Sequence, residues 1–171
     1  MKKCCYYFFI IIGILICLND DSFAQSTATA MATAVVITPI SISKSVDINF
    51  GNIGVSASTA GTVILSPSGS RTATGGVTLP ITSGTITAAS FNVTGEGVYT
   101  YSITLPSSSL TITSGSNTMT VNSFTSSPST TGTLSAGSQT LTVGATLNVS
   151  AAQPSGTYTS ASPFSVTVNY N

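Results

Sequence analysis

The stretch Tyr99-Thr100-Tyr101-Ser102-Ile103-Thr104-Leu105-Pro106 decides the fold. Tyr99, Tyr101, Ile103 and Leu105 alternate with Thr100, Ser102 and Thr104, so large apolar side chains fall on one face and hydroxyls on the other. Only a strand with one buried face has that period of two. Pro106 ends it, because proline has no amide proton to give to a sheet ladder. Upstream, Phe91 and Val93 alternate with Asn92 and Thr94 until Gly95-Glu96-Gly97, and Val46, Ile48 and Phe50 alternate with Asp47 and Asn49 until Gly51. Downstream the pattern returns at Leu110 and Ile112, Met119 and Val121, Leu141 and Val143, and Leu147 and Val149. The last run is Phe164, Val166, Val168 and Tyr170, separated by Ser165, Thr167 and Asn169.

Turn signals separate these runs: Pro67-Ser68-Gly69, Gly75-Gly76, Ser114-Gly115-Ser116, Pro128, Gly132, Ala136-Gly137 and Pro154-Ser155-Gly156. Beyond residue 24 no helical period competes, and Ser and Thr favour strands and turns over helices. About nine or ten short strands with polar turns predict an all-β antiparallel sandwich of immunoglobulin-like or jelly-roll kind. Periodicity alone leaves a closed barrel open. A membrane-spanning barrel fits poorly, since the runs are short and lack aromatic girdles.

Charge narrows the functions. Only 5% of the 171 residues are charged, four Lys+Arg and four Asp+Glu, with no His. An ordinary soluble domain carries about 25%. Residues 1–24 read as a secretory signal peptide: Lys2 and Lys3 lead an apolar run from Tyr6 to Leu18, and Ser22-Phe23-Ala24 supplies a cleavage site. The apolar run is shorter than the roughly 20 residues of a spanning helix. Cleavage after Ala24 removes Lys2, Lys3, Asp20, Asp21 and all three cysteines, leaving Lys44, Asp47, Arg71 and Glu96 as the charges. Phosphate neutralisation needs several cations, so nucleic acid is excluded as a partner. A thiol or histidine site is excluded too, and no metal or other cofactor is expected. The expected location is outside the cytoplasm, in the periplasm or at the cell surface of a Gram-negative bacterium, with no membrane span left after cleavage.

Catalytic groups are scarce. A glycosidase-type pair could be only Asp47 and Glu96, read as two solvated acids, and a Ser–Lys dyad could use only Lys44. No G-x-S-x-G elbow occurs, and Gly75-Gly76 and Gly95-x-Gly97 are turns with no helix behind them. Asn92-Val93-Thr94 and Asn148-Val149-Ser150 are sequons of the kind a Ser/Thr-rich chain generates freely. Arg71 reads as a solubilising loop charge, with an anionic glycan group as its other use. The expectation is therefore a non-enzymatic protein with no catalytic residue.

Residues 25–33 (QSTATAMAT) form a low-complexity segment, and the domain proper is expected over 34–171. The segment is either a loose tail or a strand donated to another sheet. Its small side chains alternate through Ala30, Ala32 and Ala34 to Val36.

Several blocks together resemble a bacterial secreted family, domain of unknown function 4402. They are Asp47-Ile48-Asn49-Phe50-Gly51, Gly61-Thr62-Val63 with Ser66 to Thr72, Thr74 to Val77, Phe91 to Glu96, Tyr101 to Pro106, Val143 to Val149, Gly156-Thr157-Tyr158 and Val166 to Asn171. The resemblance spans roughly residues 35–171 and implies no enzymatic role. The ending Gly156-Thr157-Tyr158 … Phe164 to Tyr170 is also similar to the last strand of chaperone–usher pilus subunits, including spore-coat-U-like archaic pilins. That likeness implies an immunoglobulin-like sandwich lacking one strand, completed first by a periplasmic chaperone and then by the N-terminal extension of the next subunit. On it, Phe164, Val166, Val168 and Tyr170 would contact a partner strand, and Ala30, Ala32, Ala34 and Val36 would be the donated side chains. The expected function is a secreted structural or adhesive surface protein, fimbrial-subunit-like, whose partners are further copies or a chaperone and usher. The alternative is a self-complete binding module for a glycan or protein ligand.

Overall fold

A computed structural model describes residues 25–171, so the expected signal peptide lies outside the described residues. The chain divides into two units, Met1–Val35 and Val36–Asn171. In the first, residues 25–35 carry no strand and are exposed throughout.

The second unit is all-β and antiparallel, as the alternation predicts. Its first strands are β1 (Ser41–Val46), β2 (Gly54–Val55), β3 (Gly61–Leu65), β4 (Arg71–Gly75), β5 (Val77–Thr78) and β6 (Ala89–Thr94). Then come β7 (Thr100–Thr104), β8 (Leu110–Ser114), β9 (Asn117–Ser127) and β10 (Thr131–Thr133). The chain ends with β11 (Ser138–Val149), β12 (Thr159–Ser160) and β13 (Thr167–Tyr170). Thirteen strands among the described residues exceed the nine or ten expected, because β2, β5 and β12 have two residues each and β10 three. Pieces that short contain too few residues to display a period.

One strand organises the rest. The 12 residues of β11 pair with β6 through Ser138–Val143 and with β3 through Ala145–Val149 on one side, and with β9 on the other. The eight-stranded sheet runs β1-β6-β11-β9-β8-β12, with β3 and then β4 hanging from β11. A three-stranded sheet, β10-β7-β13, covers one end of it, and β2 and β5 form a small ribbon. The core has two clusters, both lined by β11. Leu141 and Val143 join Val93, Tyr101, Leu134 and Val168 between the two sheets, while Ala145, Leu147 and Val149 join Phe50, Val63, Leu65 and Val121. Ile48 and Phe124 touch both clusters.

Two departures from simple alternation explain where the sequence pattern stops. On β9, Met119 and Val121 point inward, then a bulge opposite Gly144–Thr146 inserts a residue, with Ser123 at φ 50°. The phase flips there, and Phe124 packs on the core from an even position. On β13, the expected strand from Phe164 begins pairing only at Thr167, opposite Thr104. Its partner strand ends at Thr104, and the Leu105-Pro106 that follows cannot extend the ladder through proline. Phe164 and Val166 still face the core, without ladder bonds.

The Asp47-Ile48-Asn49-Phe50-Gly51 block likewise lies beyond its strand, since β1 ends at Val46 after a register shift. Asn49 bridges Thr87, Phe50 is buried, and Gly51 turns the chain at φ 69°. A side chain at Gly51 would strike the Ser83 carbonyl oxygen.

Candidate functional site

The expected partner contacts on the C-terminal strand lie on an open sheet edge. β13 pairs with β7 on one side, and no strand among the described residues pairs with the other. The Asn171 amide donates to the Thr100 carbonyl, which sets the phase of the ladder. Thr167, Asn169 and Asn171 therefore bond to β7, while the N–H and C=O of Val168 and Tyr170 point away from it. The core-facing side is densely apolar. Phe164 packs edge-on to Phe91 with ring centroids 6.2 Å apart and lies 5.0 Å from the Phe124 ring, and Val168 is buried. β1, itself the edge of the large sheet, runs beside β13, and its Ile42 packs on the same cluster as Val166 and Val168. Two strand edges, one from each sheet, thus border a common seam.

At one end of this seam three residues, Thr38, Glu96 and Tyr170, close a ring of hydrogen bonds. The Glu96 carboxylate Oε2 accepts from the Thr38 amide at 3.1 Å and from the Thr38 hydroxyl at 2.7 Å. The Tyr170 hydroxyl donates to the Thr38 carbonyl at 2.8 Å and accepts from the Glu96 amide at 2.6 Å. Gly95 makes room for it, since a Cβ there would lie 2.2 Å from the Tyr170 hydroxyl oxygen. Tyr99 completes the group, edge-on to Tyr170 with centroids 5.8 Å apart. The two bonds from Thr38 hold the Glu96 carboxyl below the ordinary glutamate pKa. Sequence reasoning took Glu96 for a solvated acid and did not single out Thr38. The available signal was the glycine on each side of the only acid left in a turn.

The other expected contacts, Ala30, Ala32, Ala34 and Val36, are exposed, with Val36 95% accessible. Arg71 corrects an expectation: it opens β4 rather than standing free in a loop. Its Nη1 donates to the carbonyls of Phe50 and Asn52, so the guanidinium braces the turn at Gly51. Lys44 and Asp47 bind each other at 2.7 Å, both largely exposed. Asp47 and Glu96 lie past opposite ends of the β1–β6 ladder, which pairs Ser41 with Thr94 and Val46 with Ser90. At roughly 3.3 Å per residue that ladder holds them well beyond the separation of a glycosidase pair.

Both sequon asparagines serve the sheet: Asn92 Oδ1 accepts from Ser138 Oγ, and Asn148 Nδ2 donates to the Thr120 carbonyl. A shallow depression over Thr62, Thr120 and Asn148 is lined by no titratable side chain. Among the described residues no three acids, cysteines or histidines gather in a metal-binding group, and no helix is long and apolar enough to cross a membrane.

A family model described as Domain of unknown function (DUF4402) matches residues 40–170. That span runs from the start of β1 to the last residue of β13, so it takes in both edges of the seam. No curated protein matches, and no solved structure does.

Proposed function

The chain belongs to the DUF4402 family, and from that premise we propose that it is a secreted, non-enzymatic structural or adhesive protein of the bacterial envelope that acts by strand pairing. The carrying observation is the open edge of β13, where the backbone groups of Val168 and Tyr170 are directed away from β7. Natural sheets usually blunt such an edge with a lysine, a proline or a covering loop. β13 is Thr-Val-Asn-Tyr and has neither residue. Backbone bonds from an added strand supply affinity, and alternate side chains supply selectivity.

Residues 25–36 are suited to be that strand in another copy. They are exposed and strand-free, and they alternate small apolar and polar side chains with Met31, Val35 and Val36 open to solvent. Low charge removes the repulsion that would oppose close association. A signal-peptide-like leader directs such a protein out of the cytoplasm, and a periplasmic chaperone would protect the edge before assembly, as in the pilus subunits that the C-terminal sequence resembles. The alternative of a self-complete module for glycan or protein ligands loses its best anchor, because the Arg71 guanidinium is bonded to two carbonyls.

The test is negative-stain imaging and size-exclusion of the secreted chain with and without residues 25–36. We expect assemblies from the intact chain and monomers of unchanged circular dichroism from the deletion. An intact chain that stays monomeric at high concentration, with its genomic neighbours supplied, would overturn the proposal. So would a deletion that assembles as before.

A further inference from the structure

Thr38 lies in the β unit, two residues beyond the exposed segment 25–36 and three before β1, and all three of its polar groups are engaged. Its amide and hydroxyl go to the Glu96 carboxylate and its carbonyl receives the Tyr170 hydroxyl. The sequence distances are 58 residues from Thr38 to Glu96 and 132 from Thr38 to Tyr170, so both ends of the domain are joined at one point. That point stands at the open end of the β1–β6 ladder. Ser41, the first residue of β1, pairs with Thr94, and Gly95 and Glu96 follow Thr94 directly.

An edge strand pulled from its free end unzips one rung at a time. A pull arriving along residues 25–37 would otherwise meet the Ser41–Thr94 rung first and peel β1 off the sheet. The ring of bonds lies upstream of that rung and hands the pull to Tyr170, the last residue of β13. We infer that the Glu96 turn is a latch, which ties the root of the N-terminal segment to the C-terminal strand and guards β1 against peeling. The inference rests on the strand-pairing reading for the origin of the pull, since a segment held in one copy would load the strand that receives the segment of another.

Hydrogen exchange on the full secreted chain, resolved by residue, tests the latch without requiring assembly. Glu96→Ala removes both acceptor bonds to Thr38, and Tyr170→Phe removes the hydroxyl. In Glu96→Ala we expect exchange of the Thr38 and β1 amides to quicken about tenfold or more, with the β11 amides unchanged, as for a local opening. Tyr170→Phe should quicken Thr38 in the same way. Glu96→Gln keeps one acceptor oxygen, so its effect should fall between wild type and Glu96→Ala; it also serves if the alanine variant fails to fold. Unaltered exchange at Thr38 and β1 in folded variants overturns the latch. So does a uniform rise through β11, which would mark a general loss of stability. If the latch behaves as expected while the intact chain never assembles, the strand-pairing reading falls and the latch stands.

Discussion

Arg71 and Glu96 show how a nearly uncharged domain uses the charges it has. Arg71 gives two charge-assisted bonds to the carbonyls of Phe50 and Asn52, and these brace a turn whose Phe50 reaches the core. Bonds from a charged donor contribute about 1.5–3 kcal/mol each, so Arg71→Ala should lower unfolding stability by roughly 2 kcal/mol in urea titration. Arg71→Lys should recover only part of that, because an ammonium lacks the planar fork. A change in ligand binding with no change in stability would contradict the bracing role.

Glu96 makes a pH-dependent contribution whose sign follows from its bonds to Thr38. Its carboxyl titrates lower in the folded chain than unfolded, so the folded state holds the proton less well. The stabilisation is present above the unfolded value of about 4.3 and is lost as pH falls through the folded one. Titration of Glu96 by NMR should show its pKa rising toward the ordinary range in Thr38→Val, which loses the hydroxyl bond. Neither role was legible in advance: an isolated charge looks the same in sequence whether solvent or a carbonyl surrounds it.

At the scale of the element, β11 carries the domain because it is paired on one side from Ser138 to Val149, by β6 and then β3, and on the other from Thr142 to Asn148 by β9. Gly144 lies where its partner changes from β6 to β3, and a Cβ there would sit 2.1 Å from the Leu65 carbonyl oxygen. Gly144→Ala should therefore destabilise by about 1–3 kcal/mol, the range for overpacking a closed site. Thermal unfolding checks this, and an unchanged midpoint would show that the two strands can separate there. Strands whose alternation is unbroken, such as β7 with Tyr101 buried, could be read directly from sequence. β9 could be read only as far as Val121, because its bulge reverses which parity faces inward. The C-terminal run was recognised by its apolar face, but its start was misplaced, since burial continues through Phe164 where hydrogen bonding does not. Side-chain periodicity reports faces; it says nothing about which backbone groups find a partner.

For the molecule as a whole, the all-β antiparallel sandwich was legible because so many short runs agree on one period. The seam between β1 and β13 was not, since edges are a property of topology. Phe164, Val166, Val168 and Tyr170 form one apolar face in the sequence, and the structure adds that the backbone groups of two of them, Val168 and Tyr170, leave an edge open. Thr38 escaped notice because its partners are 58 and 132 residues away. Removing residues 25–36 should leave the thermal midpoint of the domain within a degree or so of the intact chain, because all twelve are exposed and none belongs to a strand. A marked fall would mean that the segment completes the domain in its own copy.

The position of β11 in the chain also sets an order in time. A chain made from its N-terminus produces β3 and β6 long before residues 138–149, the strand that both must pair with. Contacts so distant in sequence form slowly. Until the ribosome has passed Val149, the first half of the polypeptide can form the β3–β4 hairpin and the β1–β6 pair, but neither cluster of the core can close without Leu141 to Val149.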